Sequence, residues 1–261
     1  MDGTFQALTV ERRDEVLWVR IHEDGRESEE LIRVFRAAHL DPDLRVIVLT
    51  GAPEKAFCVG SGGANAPKNE AERNAYWVSG MQRARDVIVS ALECDKPIVG
   101  RINGHAIGKG CSLALICDIT VMVEDSKIGD THVKVGLTCG DGGSLLWPYL
   151  VGPVLAKRYL LTGDLLTGRQ AEAIGLVTEA VPRAELDART DFWIARVQQG
   201  SPAAVAMTKR ALNAAIRQEA TAHMDMSLGL ETLSFLTQDH RSGAEALATR
   251  GQPVFTGRWP D

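Results

Sequence analysis

The chain has 261 residues, 45% of them hydrophobic and 24% charged, which supplies one large packed domain or two small ones. Its net charge of −5, with no basic block, argues against nucleic acid as a partner and leaves room only for a local basic patch. No signal-peptide pattern opens the chain, and no uncharged apolar run reaches the roughly 18 residues that span a bilayer. The five cysteines (Cys58, Cys94, Cys111, Cys117, Cys139) are odd in number and contain no CxxC pair. They read as small buried hydrophobes in a reducing, cytoplasmic compartment, with no zinc site or disulfide framework and no metal expected.

Phe5–Glu11 and Val16–His22 read as two strands joined at Arg13-Asp14. Ser28 is placed to cap a helix reaching about Leu40, stopped near Asp41-Pro42. Val46–Thr50, V-I-V-L-T, suits a strand buried on both faces. Residues 71–92 carry Trp77, Met81, Ala84, Ile88 and Leu92 at spacings of three and four, a core-facing helical stripe. Pro97–Ile102 is another buried strand, followed by N-G-H-A-I-G-K-G-C, a short apolar helix over Cys111–Cys117 and a strand over Asp118–Val123. Thr167-G-R-Gln170 fits a capping box, and Ser201-Pro202 is an N-cap followed by proline at the first helical position. From there to about Arg250 the pattern is nearly all helical. The order strand, glycine turn, helix, repeated, predicts an α/β core over residues 1–200 with substrate loops at strand ends. A helical C-terminal region over 201–261 follows, expected to serve oligomer contacts.

Residues 129–143 read G-D-T-H-V-K-V-G-L-T-C-G-D-G-G and bring His132 and Asp141 to either side of a glycine turn. An imidazole that meets a carboxylate makes a general base of fixed tautomer. His132 is also open to a reading as a buried hydrogen-bonded residue, and Asp141 to one as the N-cap of a helix beginning near Gly142. Asp130 is expected to orient backbone, and Asp118 to begin its strand. His105 is either packed or pocket-lining, and Trp77 and Trp147 fill core or pocket wall. Two glycine turns, Phe57-C-V-G-Ser61-G-G and Ile107-G-Lys109-G-Cys111, lack the dinucleotide and Walker patterns. They fit an oxyanion hole instead, one backbone N–H from each turn aimed at a single carbonyl oxygen.

Several motifs occur in a fixed order: Val46-I-V-L-T-Gly51, Lys55-A-F-C-V-G-Ser61, Lys96-P-I-V-G-R-I-Asn103-Gly104, Gly108-K-G-C-S-L-A-L-I-C-Asp118, Gly136-L-T-C-G-D-G-Gly143, and Tyr159-L-L-T-Gly163 through Ala173-I-G-L-V177. On these the chain resembles the crotonase, or enoyl-CoA hydratase/isomerase, superfamily from about residue 5 to the C-terminus. The resemblance implies a spiral of ββα turns, a helical C-terminal region, and a homotrimer or dimer of trimers. It also implies an acyl-CoA substrate whose carbonyl becomes an enolate, with CoA arriving as part of the substrate and no separate cofactor. It places the oxyanion donors at the Ser61 and Lys109 amides, with Val59, Gly60, Gly62, Gly63, Gly108, Gly110, Ser112 and Gly140 around the substrate.

The chain departs from the hydratase pattern. The two glutamates expected beside the α,β-carbons fall on Ser112 and His132. The H-E-D-G-R-E-S-E-E-L segment is shorter than the usual loop, and the first turn reads S-G-G-A. His132 with Asp141, the following Leu146-W-P148 and Met226-S-L-G-L230 are similar to the 6-oxocamphor hydrolase branch, which hydrolyses β-diketone carbon–carbon bonds. The expected activity is therefore proton chemistry on an acyl-CoA or related carbonyl, with β-diketone hydrolysis and a non-catalytic oligomeric binding protein as alternatives.

Overall fold

The computed structural model describes residues 5–22, 27–52, 54, 56–60 and 69–259. Its strands are β1 (Leu8–Arg13), β2 (Val16–Ile21), β3 (Val46–Gly51), β4 (Ala56–Cys58), β5 (Ile98–Ile102), β6 (His105–Ile107), β7 (Ile119–Val123), β8 (Lys127–Gly129), β9 (Leu166–Thr167) and β10 (Glu179–Val181). The helices are α1 (Glu27–Leu40), α2 (Glu70–Glu93), α3 (Lys109–Leu115), α4 (Gly143–Thr162), α5 (Gly168–Ala173), α6 (Leu186–Gln198), α7 (Pro202–Phe235) and α8 (Gln238–Thr249).

Successive strands alternate between two sheets. One has the order β1-β2-β3-β5-β7-β10, and the other β4-β6-β8-β9. Only β1 with β2 and β8 with β9 pair antiparallel; every other pairing is parallel. Each passage through both sheets, β3-β4-α2 and then β5-β6-α3, is one ββα turn of a spiral, and this is the crotonase-type α/β fold.

The all-buried run of β3 follows from its place inside the larger sheet. Ile47 and Leu49 join the main core with Ile98 and Ile102, while Val46 and Val48 face the other way, onto Val99 and Ile194 of α6. A strand covered on both faces has no polar side to present. The long C-terminal helix α7 shares the main core, since its Ile216, Ala220, Met224 and Leu228 belong to it.

The spiral turns its corners at Asn103. Its side-chain oxygen accepts from the Gly51 amide at 2.9 Å and from the Thr50 hydroxyl at 3.1 Å, and its amide nitrogen donates to Ala56 O at 3.1 Å. One side chain at 4% exposure thus ties the β3–β4 corner to the β5–β6 corner. Gly51 completes the corner, because a Cβ there would lie 2.2 Å from Ala56 O.

Several expected boundaries move. The first strand runs Leu8–Arg13, because pairing from Leu8↔Ile21 to Arg13↔Val16 sets its limits, not apolarity. Asp14 takes φ 53° in the tight turn, while Phe5 packs against the core outside the strand. Ser28 does not cap α1; the helix already includes Glu27, and Ser28 is buried within its first turn. The short helix starts at Lys109 instead of Cys111, since Gly108 (φ 56°, ψ −121°) turns the chain directly from strand into helix. Asp118 precedes its strand, accepting from the Ile98 amide at 2.7 Å and pairing with Lys209 at 2.7 Å. The Thr167–Gln170 capping box forms as expected. Ser201 precedes Pro202 but makes no side-chain cap bond. The last helical stretch is broken at Leu236-Thr237, where Thr237 caps α8 by accepting from the His240 amide at 3.1 Å. No helix among the described residues is long and apolar enough to cross a membrane.

Replacing Asn103 with Ala leaves the Gly51 amide, the Thr50 hydroxyl and the Ala56 carbonyl of the β3–β4 corner without this partner. We expect a loss of about 2–3 kcal/mol in urea unfolding. A loss near zero would mean that the corners hold without it.

Candidate active site

Three parallel strands of the smaller sheet deliver the site. β4, β6 and β8 lie side by side, with Cys58↔Ala106 and Ile107↔Gly129 in register. Each leaves its carboxyl end directly into a segment singled out in the sequence: Val59-Gly60, Gly108-Lys109, and Asp130-Thr131-His132. Carboxyl ends of parallel strands are where such sheets hold ligands.

The two glycine turns are pressed together. A Cβ on Gly110 would stand 1.8 Å from Cys58 O, so the start of α3 rests on the β4 backbone and only glycine fits. Gly110 is thus a packing position. Lys109 opens α3, where an amide has no intrahelical acceptor. Its ammonium is occupied elsewhere, 2.5 Å from Glu27. Gly60 takes φ 72° and Val59 is exposed. Ser61, Gly62 and Gly63 lie outside the described residues.

His132 begins a 3-10 turn over His132–Val135, closed by Gly136 at φ 72°. α8 clamps this turn: a Cβ on Gly136 would meet Asp239 and His240 backbone at 2.6 Å, and His240 Nδ1 lies 3.0 Å from Val135 O. The imidazole sits between two carboxylates. Nδ1 is 2.8 Å from Asp130 Oδ1, and Nε2 is 3.8 Å from Asp141 Oδ2. The side chains are 15%, 2% and 8% exposed for His132, Asp130 and Asp141.

The carboxylate at hydrogen-bond distance from the ring is Asp130, while Asp141, expected as the partner of His132, stands farther off on the Nε2 side. Asp130 Oδ1 accepts the His132 backbone N–H at 3.0 Å as well as facing its ring. Asp141 does not cap the following helix; Gly142 occupies that place without a side-chain bond. Asp141 instead accepts from the Ser112 hydroxyl at 3.2 Å and faces the other ring nitrogen. Gly108 lies on the same side, where a Cβ would be 3.8 Å from His132 Nε2. Gly140 holds no open space; a Cβ there would meet Glu231 Oε2 and Ser227 O of α7 at 2.6 Å. His105 is exposed, its Nδ1 accepting the Lys127 amide at 2.9 Å, and Trp147 is core.

Glu231 was not singled out in the sequence. It is 2% exposed, and its Oε2 has no hydrogen-bond partner. The spacing Ile216, Ala220, Met224, Leu228, Glu231 continues the buried face of α7, so a carboxylate on that stripe was the available clue.

The charges act on one another. Burial opposes a charge on His132, but the carboxylates of Asp130 and Asp141 outweigh it and hold the imidazole protonated well above its ordinary range. Burial pushes Asp130 upward, and the imidazolium with its hydrogen bonds brings it below the usual aspartate value. For Asp141 burial prevails, aided by Asp130 and opposed by His132, and its carboxyl titrates higher than an ordinary aspartate. Burial, then Asp141, push Glu231 up to about 8. One donor atom from each of Asp130, His132 and Asp141 falls within 4.8 Å of the others, the donor types of a cation site. Asp130 and His132 nevertheless stand at hydrogen-bond spacing, as an ion pair sharing a proton does.

A spiral of ββα turns through two sheets, with three parallel strands of one sheet ending together beside a glycine-opened helix start, is the architecture of the crotonase superfamily. Residues 25–258 match the family described as enoyl-CoA hydratase/isomerase, and the chain belongs to that family. It is 30% identical over 243 residues to an (E)-benzylidenesuccinyl-CoA hydratase of Thauera aromatica, covering 90% of each chain. It is 30% identical over 223 residues to a crotonyl-CoA hydratase of Syntrophomonas wolfei, covering 85% of this chain and 84% of that one. Among solved structures, an enoyl-CoA hydratase from Mycobacterium avium subsp. paratuberculosis superposes with a TM-score of 0.86 at 27% identity, covering 97% and 100%.

Glu231 ionises near 4.5 in the unfolded chain and near 8 in the fold. Between those values the unfolded state has released a proton that the folded state keeps, so stability falls as pH rises. We expect Glu231→Gln to show a smaller loss of unfolding free energy than the parent between about pH 5 and about pH 7. Equal losses would show that Glu231 does not keep its proton.

Proposed function

We propose that the protein adds water across the double bond of an enoyl-CoA, with an imidazolium and an aspartate in place of two glutamates. The observation that carries this reading is the 3.8 Å gap between His132 Nε2 and Asp141 Oδ2. The gap is too long for a direct hydrogen bond, yet a water to one side of it reaches both atoms at about 2.8 Å. Asp141, titrating above an ordinary aspartate, takes the water proton as oxygen bonds to the β-carbon. His132, charged at rest, gives its proton to the α-carbon of the enolate. The proton on Asp141 then returns to Nε2 through the next water, and the site is reset. Asp130 holds the ring and raises its proton affinity.

The thioester oxygen that carries the enolate charge is assigned to the Lys109 amide, with the Ser61 amide as its expected partner. Donors of this kind lower a barrier by about 2.7–4 kcal/mol each. What supports the Lys109 assignment is its place at the head of α3, one residue from the glycine that faces Nε2. The relatives' printed activities, hydration of benzylidenesuccinyl-CoA and crotonyl-CoA, support the reaction class.

The test is hydration of crotonyl-CoA followed as kcat/KM against pH. We expect an acid limb above the ordinary aspartate range, set by Asp141, and a basic limb above the ordinary histidine range, set by His132. His132→Ala should lose at least about 100-fold, and Asp130→Asn should move the basic limb down. Cleavage of a cyclic 1,3-diketone with no hydration of any enoyl-CoA would overturn the reading in favour of carbon–carbon hydrolysis.

A further inference from the structure

Lys109 brings a cation as well as an amide to the head of α3. Its side chain leaves the same helix face as Ser112, three residues on, where Cβ atoms stand about 5–6 Å apart. The Ser112 hydroxyl donates to Asp141 Oδ1 at 3.2 Å. A lysine ammonium rides on a flexible four-carbon stem, so from this face it has Asp141 within range. The Asp141 carboxyl responds to it: burial raises its titration most, and Lys109 is one of the cations that draw it down. The other charged groups facing Asp141 are His132 on the 3-10 turn, Asp130 behind β8 and Glu231 on α7; α2 adds the uncharged Ile88, close to Gly142.

The ammonium nevertheless rests elsewhere. Lys109 Nζ pairs with Glu27 Oε1 at 2.5 Å, and among the described residues no ion pair joins it to Asp141. Glu27 is 3% exposed and opens α1, where the first turn of a helix favours a carboxylate. That turn is fastened independently. Glu30, also buried, accepts the Gln6 and Ala7 amides at 2.8 and 2.9 Å, and Leu31, Val34 and Phe35 are fully buried. The carboxylate is therefore fixed by its element, while the cation moves on its stem. The anion decides where the cation stays.

We propose that Glu27 is a positioning residue for the acid–base row: its buried carboxylate anchors the Lys109 ammonium away from Asp141 and leaves that base to the attacking water. This rests on the reading of Asp141 as the base in hydration. The Lys109 side chain is 28% exposed, so an ammonium released from Glu27 is short of water and takes the nearest carboxylate. Pairing with a cation favours the charged form of a carboxylate. An Asp141 so held is a weaker base.

The test is the titration of Asp141, read by carbon-13 NMR of aspartate-labelled protein, beside crotonyl-CoA hydration against pH. Glu27→Gln removes the anchor's charge and keeps its shape. Asp141 should then titrate lower than in the parent, and the acid limb of kcat/KM should move down with it. With KM unchanged, kcat should fall about tenfold, a partial loss beside the at least about 100-fold that a missing acid or base costs. Lys109→Met keeps the amide and removes the cation, so Asp141 should titrate higher than in the parent. The variant carrying both substitutions should fall between the two single ones. A role in folding alone would cost both single variants activity with no opposite shifts at Asp141. An unmoved Asp141 in Glu27→Gln, or shifts of one sign in both single variants, would overturn the proposal. If Lys109→Met fails to fold because Glu27 is left buried without its cation, the other two variants decide: Asp141 must titrate higher in the double variant than in Glu27→Gln. A parent that hydrates no enoyl-CoA while Asp141 shifts as stated upholds the anchor and removes the hydration reading. One that hydrates crotonyl-CoA while Asp141 stays unmoved in Glu27→Gln does the reverse.

Discussion

Asp130, His132 and Asp141 place a carboxylate, an imidazole and a second carboxylate in a row with little water around them. Taking such groups out of water costs several kcal/mol per ion, and their mutual attraction offsets this only when geometry and hydrogen bonds are good. Here Asp130 meets both the ring and the backbone of His132, and Ser112 supports Asp141. A third buried carboxylate, Glu231, escapes the repulsion by keeping its proton. In the proposed reaction the cluster supplies an acid, His132, beside a base, Asp141, whose carboxyl titrates above an ordinary aspartate. That pairing suits addition of water to a polarised double bond.

The fold exists in the form that makes this row possible. Short parallel strands end together, and three different stretches of chain leave them at one place. The corners that bring those strands into register hang on Asn103, and the contact between the two glycine turns hangs on the absence of a side chain at Gly110. The His132 turn has no long element of its own. α8 and α7, from the far end of the chain, fix its shape by packing against Gly136 and Gly140.

Local elements were readable in the sequence wherever their cause was local. The buried strand at Val46–Thr50, the capping box at Thr167 and the stripe on α2 each carry their reason within a few residues. The alternation between two sheets was readable only through the family resemblance, because strand pairing over long distances leaves no trace in a short window. His132 and Asp141 were legible as a pair that could meet. Their division of labour was not: whether Asp130 or Asp141 faces Nδ1 depends on how residues 130–142 turn, and helices about one hundred residues later decide that. Glu231 shows the same limit, since its burial follows from periodicity while its neighbours do not. Ser28 illustrates the opposite error, a favourable capping residue that lies buried within the helix's first turn instead.

The protonation state of His132 is the centre of this account, and nitrogen-15 NMR of histidine-labelled protein reads it directly. The account predicts that at about pH 8, where a free imidazole is neutral, both ring nitrogens of His132 still carry protons. It also predicts that Asp130→Asn returns the ring to neutral at that pH. A His132 ring already neutral at about pH 7 in the parent would contradict it, because the acid assigned to the α-carbon would then be absent.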